Sequence, residues 1–332
     1  VSIDAHRPAL TSKLQGFGTT IFAEMSALAT ATGSINLGQG FPDSDGPRQV
    51  LDAAIAEIAG GNNQYPPGPG HPALRHAVAG HQLRFYGLHL DPDTEVFVTA
   101  GAQEALAGCL LGTLDTGDEL IVLEPLFDTY EPLAAMAGAG VVPITLEPPD
   151  FDLPVDRLRA AVTPRTRAIL VNSPHNPTGK VLTLDELQAI ADVAIEHDLL
   201  VITDEVYEHL TFDGVEHIPI ATLPGMFERT LTIGSGGKTF STTGWKIGWI
   251  TGPAELVAAA RIAKQNLTFV SGGPFQPAIA VGLGLGDEFF AGIAADLQAK
   301  RDRLLPGLQH AGFVVHPTSG TYFVTVDITP LR

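Results

Sequence analysis

The chain has 332 residues, of which 45% are hydrophobic and 17% charged, with a single cysteine. That length allows a large buried core, and the composition excludes both a disordered chain and a disulfide-stapled module. With 19 Lys and Arg against 37 Asp and Glu the formal net charge is −18, which repels nucleic-acid phosphates and anionic membranes at long range, so neither is an expected partner.

Val1 to Pro8 lacks the basic region and apolar stretch of a leader. Apolar runs such as Leu256 to Ala260 fall far short of the roughly 18 residues of a membrane span, and a cytoplasmic protein is expected. Gly18 to Thr32 has helical spacing, with Ile21, Met25 and Leu28 on one face. A loop follows at Gly38 to Asp43, and Pro47 suits the first position of a helix that runs to Gly60. Gln64 to Gly70 holds three Pro and two Gly in seven residues, which fixes an irregular loop.

From His71 onward, helices and strands alternate. Helix is expected over His71 to Tyr86, then a strand at Glu95 to Thr99 and a helix from Ala100 through Leu114. Strands at Glu119 to Leu123 and Val141 to Leu146 flank a helix at Tyr130 to Ala137. After a strand at Ala168 to Asn172, Thr183 and Glu186 have the spacing of a capping box, opening a helix to His197. Further strands are read at Leu199 to Thr203, ending at Asp204, and at Leu231 to Ile233 and Ile247 to Ile250. A helical region then extends to Gln309, broken near Ser271 to Pro274, and Phe313 to Val315 and Tyr322 to Val326 form a hairpin-like pair. Cys109, in an Ala/Leu-rich helical stretch, reads as a buried thiol, and the 11 His show no metal-ligand spacing.

Apolar strands separated by helices imply a mostly parallel sheet covered on both faces, with ligands beyond the strands' carboxyl ends. The polar residues there are Gly101-Ala102-Gln103, Glu124-Pro125, Asn172 to Gly179, Asp204-Glu205 and Gly234 to Lys238. Gly236-Gly237-Lys238-Thr239 invites a P-loop reading, but that motif requires Gly where Thr232 stands, and the acidic strand end at Asp204 precedes it. A nucleophilic lysine fits better. Lys238 lies in a loop of small residues with a second cation, Lys246, nearby, and such surroundings lower an amine's pKa. A buried Asp204 can hold a pyridine nitrogen protonated, while Ser235 and the helix start at Gly101-Ala102-Gln103 suit a phosphate.

Four motifs in order carry a resemblance. They are Asn36-Leu37-Gly38-Gln39-Gly40-Phe41-Pro42, Asn172-Ser173-Pro174-His175-Asn176-Pro177-Thr178-Gly179, Asp204-Glu205-Val206-Tyr207, and Ser235 through Trp249. The sequence resembles the class I/II aminotransferases, pyridoxal-phosphate enzymes of fold type I, from residue 18 to about 326. Within them it is most similar to the kynurenine/glutamine/methionine transaminases and the bacterial N-succinyldiaminopimelate aminotransferases. The resemblance implies an α/β fold with a mostly parallel central sheet, helices on both faces and a smaller α/β domain. It places a large cofactor domain at 46–285 and a small domain in 1–45 and 286–332.

The resemblance also implies roles. Lys238 matches the Schiff-base lysine and proton shuttle, Asp204 the pyridinium partner, and Tyr207 and Asn176 the donors to the ring 3-oxygen. Phe127 matches the stacked aromatic, and Ala102, Gln103, Ser235 and Lys246 the phosphate cradle, with Lys246 standing where many relatives have Arg. Tyr65 matches a tyrosine that reaches the neighbouring subunit's phosphate, which implies a homodimer. Gly38 matches a backbone contact to the substrate carboxylate and Phe22 an aromatic at the substrate mouth. The family's substrate-carboxylate arginine falls beyond Arg332, so no substrate arginine is assigned.

Blander readings stand beside these. Phe127, Trp245 and Trp249 suit a core, Asn176 to Gly179 suits a turn, and Tyr65 and Lys246 suit an exposed surface. The expected reaction is amino transfer between an L-amino acid and a 2-oxo acid, the donor being N-succinyl-LL-2,6-diaminopimelate, methionine, glutamine or kynurenine. A carbon–sulfur β-lyase using the same Lys238 and Asp204 is the alternative, followed by a non-catalytic cofactor-binding regulator.

Overall fold

A computed structural model describes residues 9–38, 40, 42 and 44–331; Gln39 and Phe41 of the N-terminal motif, and the Val1 to Pro8 segment, lie outside them. The helices before the sheet are α1 (Ile21–Thr32), α2 (Arg48–Ala59) and α3 (Pro72–Tyr86). Then come β1 (Val96–Thr99), α4 (Gly101–Thr113), β2 (Glu119–Glu124), α5 (Tyr130–Ala137), β3 (Gly140–Thr145), α6 (Val155–Ala161), β4 (Thr166–Asn172) and α7 (Leu184–Glu196). The chain continues through β5 (Leu200–Asp204), β6 (Thr230–Ser235), α8 (Gly236–Thr239), β7 (Gly248–Thr251), α9 (Ala254–Gln265), α10 (Phe275–Leu283) and α11 (Asp287–His310). It closes with β8 (Val314–Val315) and β9 (Val326–Asp327).

Local chemistry sets the boundaries. Pro72 opens α3 behind His71, whose ring caps Ala73 N–H, and Gly87 closes it in a left-handed conformation. At α7 both halves of the Thr183–Glu186 capping box are present. α6 is not anticipated from sequence: it is seven residues long and buries only Leu158, too few apolar positions to show a helical period. The expected strand at Tyr322 to Val326 is paired only from Val326, opposite Val315.

Seven strands form one sheet in the order β1-β7-β6-β5-β4-β2-β3. β2 through β6 run parallel, whereas β7 is antiparallel to both β1 and β6. Alternate strand residues feed opposite layers. Leu120 and Val122 pack with Leu106, Leu110 and Val257 of α4 and α9, while Ile121 and Leu123 pack with Leu187 and Ile190 of α7. At the β1–β7 edge, Val98 and Trp249 meet Leu74 of α3 and Ile279 of α10. Cys109 is fully buried in the first layer. Truncating one such side chain, Leu110→Ala for instance, costs about 2–5 kcal/mol. α1 has no buried residue, so the face of Ile21, Met25 and Leu28 lies open. Among the described residues no single helix is long and apolar enough to cross a membrane.

Candidate active site

One edge of the sheet gathers the polar strand ends. β1, β4, β5 and β6 all end there, and because β7 is antiparallel its start, at Gly248, lies at the same edge. Above it is a cavity of about 250 Å³. The parallel strands fan side chains into it, as expected where open α/β sheets bind ligands.

Asp204 ends β5 and is buried. Its register partner on β4 is Asn172, whose Nδ2 donates to the Asp204 carbonyl at 2.8 Å and whose Oδ1 accepts from Asn176 N–H at 2.7 Å. This ladder ties the Asn-Pro turn to the strand that carries the carboxylate. Oδ2 of Asp204 accepts from the Tyr130 hydroxyl at 2.9 Å, and Oδ1 has a long contact of 3.5 Å with Val206 N–H. Burial pushes the carboxyl up to about 6, against the pull of Tyr130, the Val206 N–H and Lys238. A buried carboxylate of this kind lowers its cost by taking a cation, and a protonated ring nitrogen is one.

Lys238 sits in α8, the four-residue turn that follows β6. Its Nζ donates to Gly40 O at 3.2 Å and to the Tyr322 hydroxyl at 3.1 Å, and Tyr322 itself donates to Gly40 O at 2.7 Å. The amine also lies 5.6 Å from the Tyr207 ring centre and 5.8 Å from that of Tyr322. The Tyr207 hydroxyl is raised well above its ordinary range, first by burial and then by the nearby Tyr322 and Asp204, with Asn176 pulling the other way. Tyr207 is therefore a neutral donor at any physiological pH.

The opposite wall suits an anion. Gly101 begins α4 with a φ of +76°, a conformation natural to glycine, and the first turn presents the Ala102 and Gln103 N–H groups. Gly248 of β7 lies so close that an added Cβ would stand 2.8 Å from Ala102 N. Ser235, last in β6, and Lys246, in a left-handed conformation just before β7, line the same cavity. A Cβ at Gly101 would meet Lys246 Nζ at 3.6 Å, so the cation sits over this helix start. A buried carboxylate, a primary amine and a positively charged helix start around one small cavity form a donor set that fits pyridoxal phosphate.

Phe22, Phe127 and Asn176 complete the walls. Phe22 and Phe127 are 6.4 Å apart, centre to centre. Two expected residues lie elsewhere. Gly38 is exposed and donates its N–H to Asn36 Oδ1 at 3.0 Å, while Gly40 faces the cavity. Tyr65 is 79% exposed in its Pro/Gly loop and meets only the edge of Phe269 among the described rings.

The family model for aminotransferase class I and II matches residues 32–332. The chain belongs to this family. It is 55% identical over 322 residues to a probable N-succinyldiaminopimelate aminotransferase of Mycobacterium tuberculosis, covering 96% of this chain and 81% of that protein. The structure of the N-succinyldiaminopimelate aminotransferase of that organism superposes with a TM-score of 0.96 at 55% identity, covering 97% of this chain and 85% of the other. A mouse kynurenine–oxoglutarate transaminase is 40% identical, with 96% and 74% covered. An Escherichia coli structure with a methionine aminotransferase function gives a TM-score of 0.94 at 38% identity, with 98% and 85% covered.

The protein is thus a pyridoxal-phosphate-dependent aminotransferase of fold type I. Sequence reasoning did not find Tyr130, Tyr322, Thr243 or Phe323, which contact Asp204 or Lys238 or line the cavity. Tyr130 carries a signal, since it falls at the start of a helix just after the Phe127 loop; Tyr322 carries none, because its approach is set by the distant C-terminal segment. The histidines also gain company invisible in sequence: His81, Glu208 and His209 come together. The Nε2 atoms of His81 and His209 are 2.7 Å apart, a hydrogen-bond distance, shorter than the roughly 3.3 Å between two nitrogens on one tetrahedral zinc.

Proposed function

We propose that this aminotransferase takes the amino group of N-succinyldiaminopimelate and passes it to a 2-oxo acid such as 2-oxoglutarate, in the cytoplasm, as a step of lysine biosynthesis. The observation that carries the substrate is the similarity to the mycobacterial N-succinyldiaminopimelate aminotransferase, at 55% identity and a TM-score of 0.96. The relatives named as kynurenine–oxoglutarate transaminases or methionine aminotransferases stand at 38% to 40% identity.

In this reading the first turn of α4, Ser235 and Lys246 hold the phosphate, Asp204 faces the ring nitrogen, Tyr207 and Asn176 donate to the 3-oxygen, and Phe127 covers the ring. When bound, pyridoxal phosphate supplies an aldehyde carbon for a primary amine and a protonated ring that accepts the electron pair released at the substrate Cα. Asp204 keeps that nitrogen protonated, because a buried anion is stabilised by a cation against it. With the cofactor held there, Lys238 would be the amine that takes the substrate Cα proton as general base and delivers it as general acid to the cofactor's aldehyde-derived carbon. Tyr322 and Gly40 O give the free amine two hydrogen-bond partners that set its position.

The same reading makes the working form a homodimer. Support comes from the open apolar face of α1, from Ile35 and Leu37 at 86% and 89% exposed, and from the exposed Tyr65, which would reach the partner's phosphate. The large domain is 46–285, with 1–45 and 286–332 forming the small one. The test is a donor screen against 2-oxoglutarate and pyruvate with N-succinyldiaminopimelate, methionine, glutamine and kynurenine, alongside sedimentation. Preference for methionine or kynurenine would overturn the substrate. Pyruvate, ammonia and a thiol released from a cysteine S-conjugate without any 2-oxo acid would favour the β-lyase. A fully active monomer would defeat the role of Tyr65.

A further inference from the structure

Glu104 occupies an awkward place. It lies in the first turn of α4, where its carboxylate already uses the positive end of the helix on which the phosphate is to sit. Its Oε2 accepts from Ala100 N–H at 2.5 Å, and its Oε1 accepts from the Thr268 hydroxyl. The first contact reaches back over the turn and fixes the backbone just before Gly101. The carboxylate is buried, so salt screens it little. An unopposed charge there would repel a phosphate at Ala102 and Gln103.

Lys264 of α9 stands against it. Its Nζ is 3.9 Å from Glu104 Oε2 and donates to Phe269 O at 2.7 Å, and the residue is 1% exposed. Burial lowers its pKa, and Glu104 is the group that opposes the shift. The two helices are held close: a Cβ at Gly112 would lie 2.6 Å from Ala259 O, and one at Gly108 would lie 3.2 Å from Ala260 O. Lys264 therefore cannot swing out to water without parting the helices.

We infer that Glu104 and Lys264 are a positioning pair for cofactor binding, in which Glu104 shapes the phosphate-binding turn and Lys264 cancels the charge Glu104 brings, so that the turn stays open to a dianion. This rests on the reading of α4 as the phosphate seat. Neither residue lines the cavity.

The test is calorimetric titration of the full-length enzyme, freed of cofactor, with pyridoxal phosphate, inorganic phosphate and phosphate-free pyridoxal. Lys264→Met should weaken both phosphate-bearing ligands about tenfold, the size of a charge effect at a helix start, and leave pyridoxal unchanged. Adding Glu104→Gln should restore them. Should Lys264→Met fail to fold, Glu104→Gln alone carries the test: it keeps an acceptor for Ala100 N–H, leaves Lys264 unopposed, and should tighten inorganic phosphate several-fold. Equal losses for pyridoxal and pyridoxal phosphate, or no tightening in Glu104→Gln, would overturn the pair. Ser235→Ala separates the two readings. If it leaves phosphate affinity intact, the seat itself is misplaced; if it weakens phosphate while Lys264→Met does not, only this inference falls.

Discussion

Asp204→Asn should make the cofactor-free protein more stable and the loaded enzyme slower, and the two effects have one cause. The Asp204 carboxyl is pushed from 3.8 up to about 6, chiefly by burial. At 1.36 kcal/mol per unit, its ionisation costs the folded state about 3 kcal/mol. Because the folded value lies above the unfolded one, the folded state binds the proton more tightly. Stability from this group is therefore full below about pH 4 and is lost as pH rises through about 6. Asparagine has no charge to desolvate, and its Oδ1 can still accept from Tyr130. At pH 8 the cofactor-free variant should gain up to about 3 kcal/mol, or roughly 4 °C in Tm for a chain of this length, and the gain should vanish near pH 4. In the loaded enzyme of the proposed function the anion opposite the ring nitrogen would be gone, and a rise of about 3 kcal/mol in the barrier would slow amino transfer roughly a hundredfold. Thermal melts of both cofactor-free proteins at the two pH values, with a single-turnover transfer rate, check this. Equal melting at pH 8, a gain that persists at pH 4, or an unchanged rate would refute the electrostatic account of Asp204.

Lys238→Ala should retain cofactor through the phosphate cradle yet lose amino transfer; equilibrium dialysis and a single-turnover assay read the two, and transfer at the wild-type rate would remove Lys238 from its role. Tyr322→Phe deletes one partner of the Lys238 amine and one of Gly40 O, each hydrogen bond being worth about 1 kcal/mol; turnover should fall about five- to tenfold with cofactor affinity unchanged. Gly248→Ala would drive a methyl to 2.7 Å from Gly101 C and 2.8 Å from Ala102 N, displacing the start of α4, so dialysis should show cofactor lost and calorimetry should show inorganic phosphate no longer bound.

Much of the sheet was legible because its signals are local. Wholly apolar stretches such as Leu200 to Ile202 must be covered on both faces, and polar residues just past them then point to one edge. Asp204, Asn176, Ser235 and Lys238 stand out for that reason, and the structure lines one cavity with them. What stayed hidden depends on distance along the chain. Tyr130 reaches Asp204 across 74 residues, and Tyr322 reaches Gly40 across 282. No periodicity encodes such meetings. The open face of α1 misleads in a different way: its apolar spacing is that of a core helix, yet nothing among the described residues buries it.

The antiparallel course of β7 has a dynamic consequence. β6 leaves the sheet at Ser235 and β7 re-enters at Gly248, directly opposite, so the intervening segment is a closed excursion pinned at both feet. It carries both cavity lysines, Lys238 and Lys246, on one short tether. Local opening of a segment so tied is cooperative, and a single event would withdraw Lys238 and Lys246 from the cavity together. Loss of a ligand held by both lysines and amide exchange across 236–247 should then report the same fluctuation.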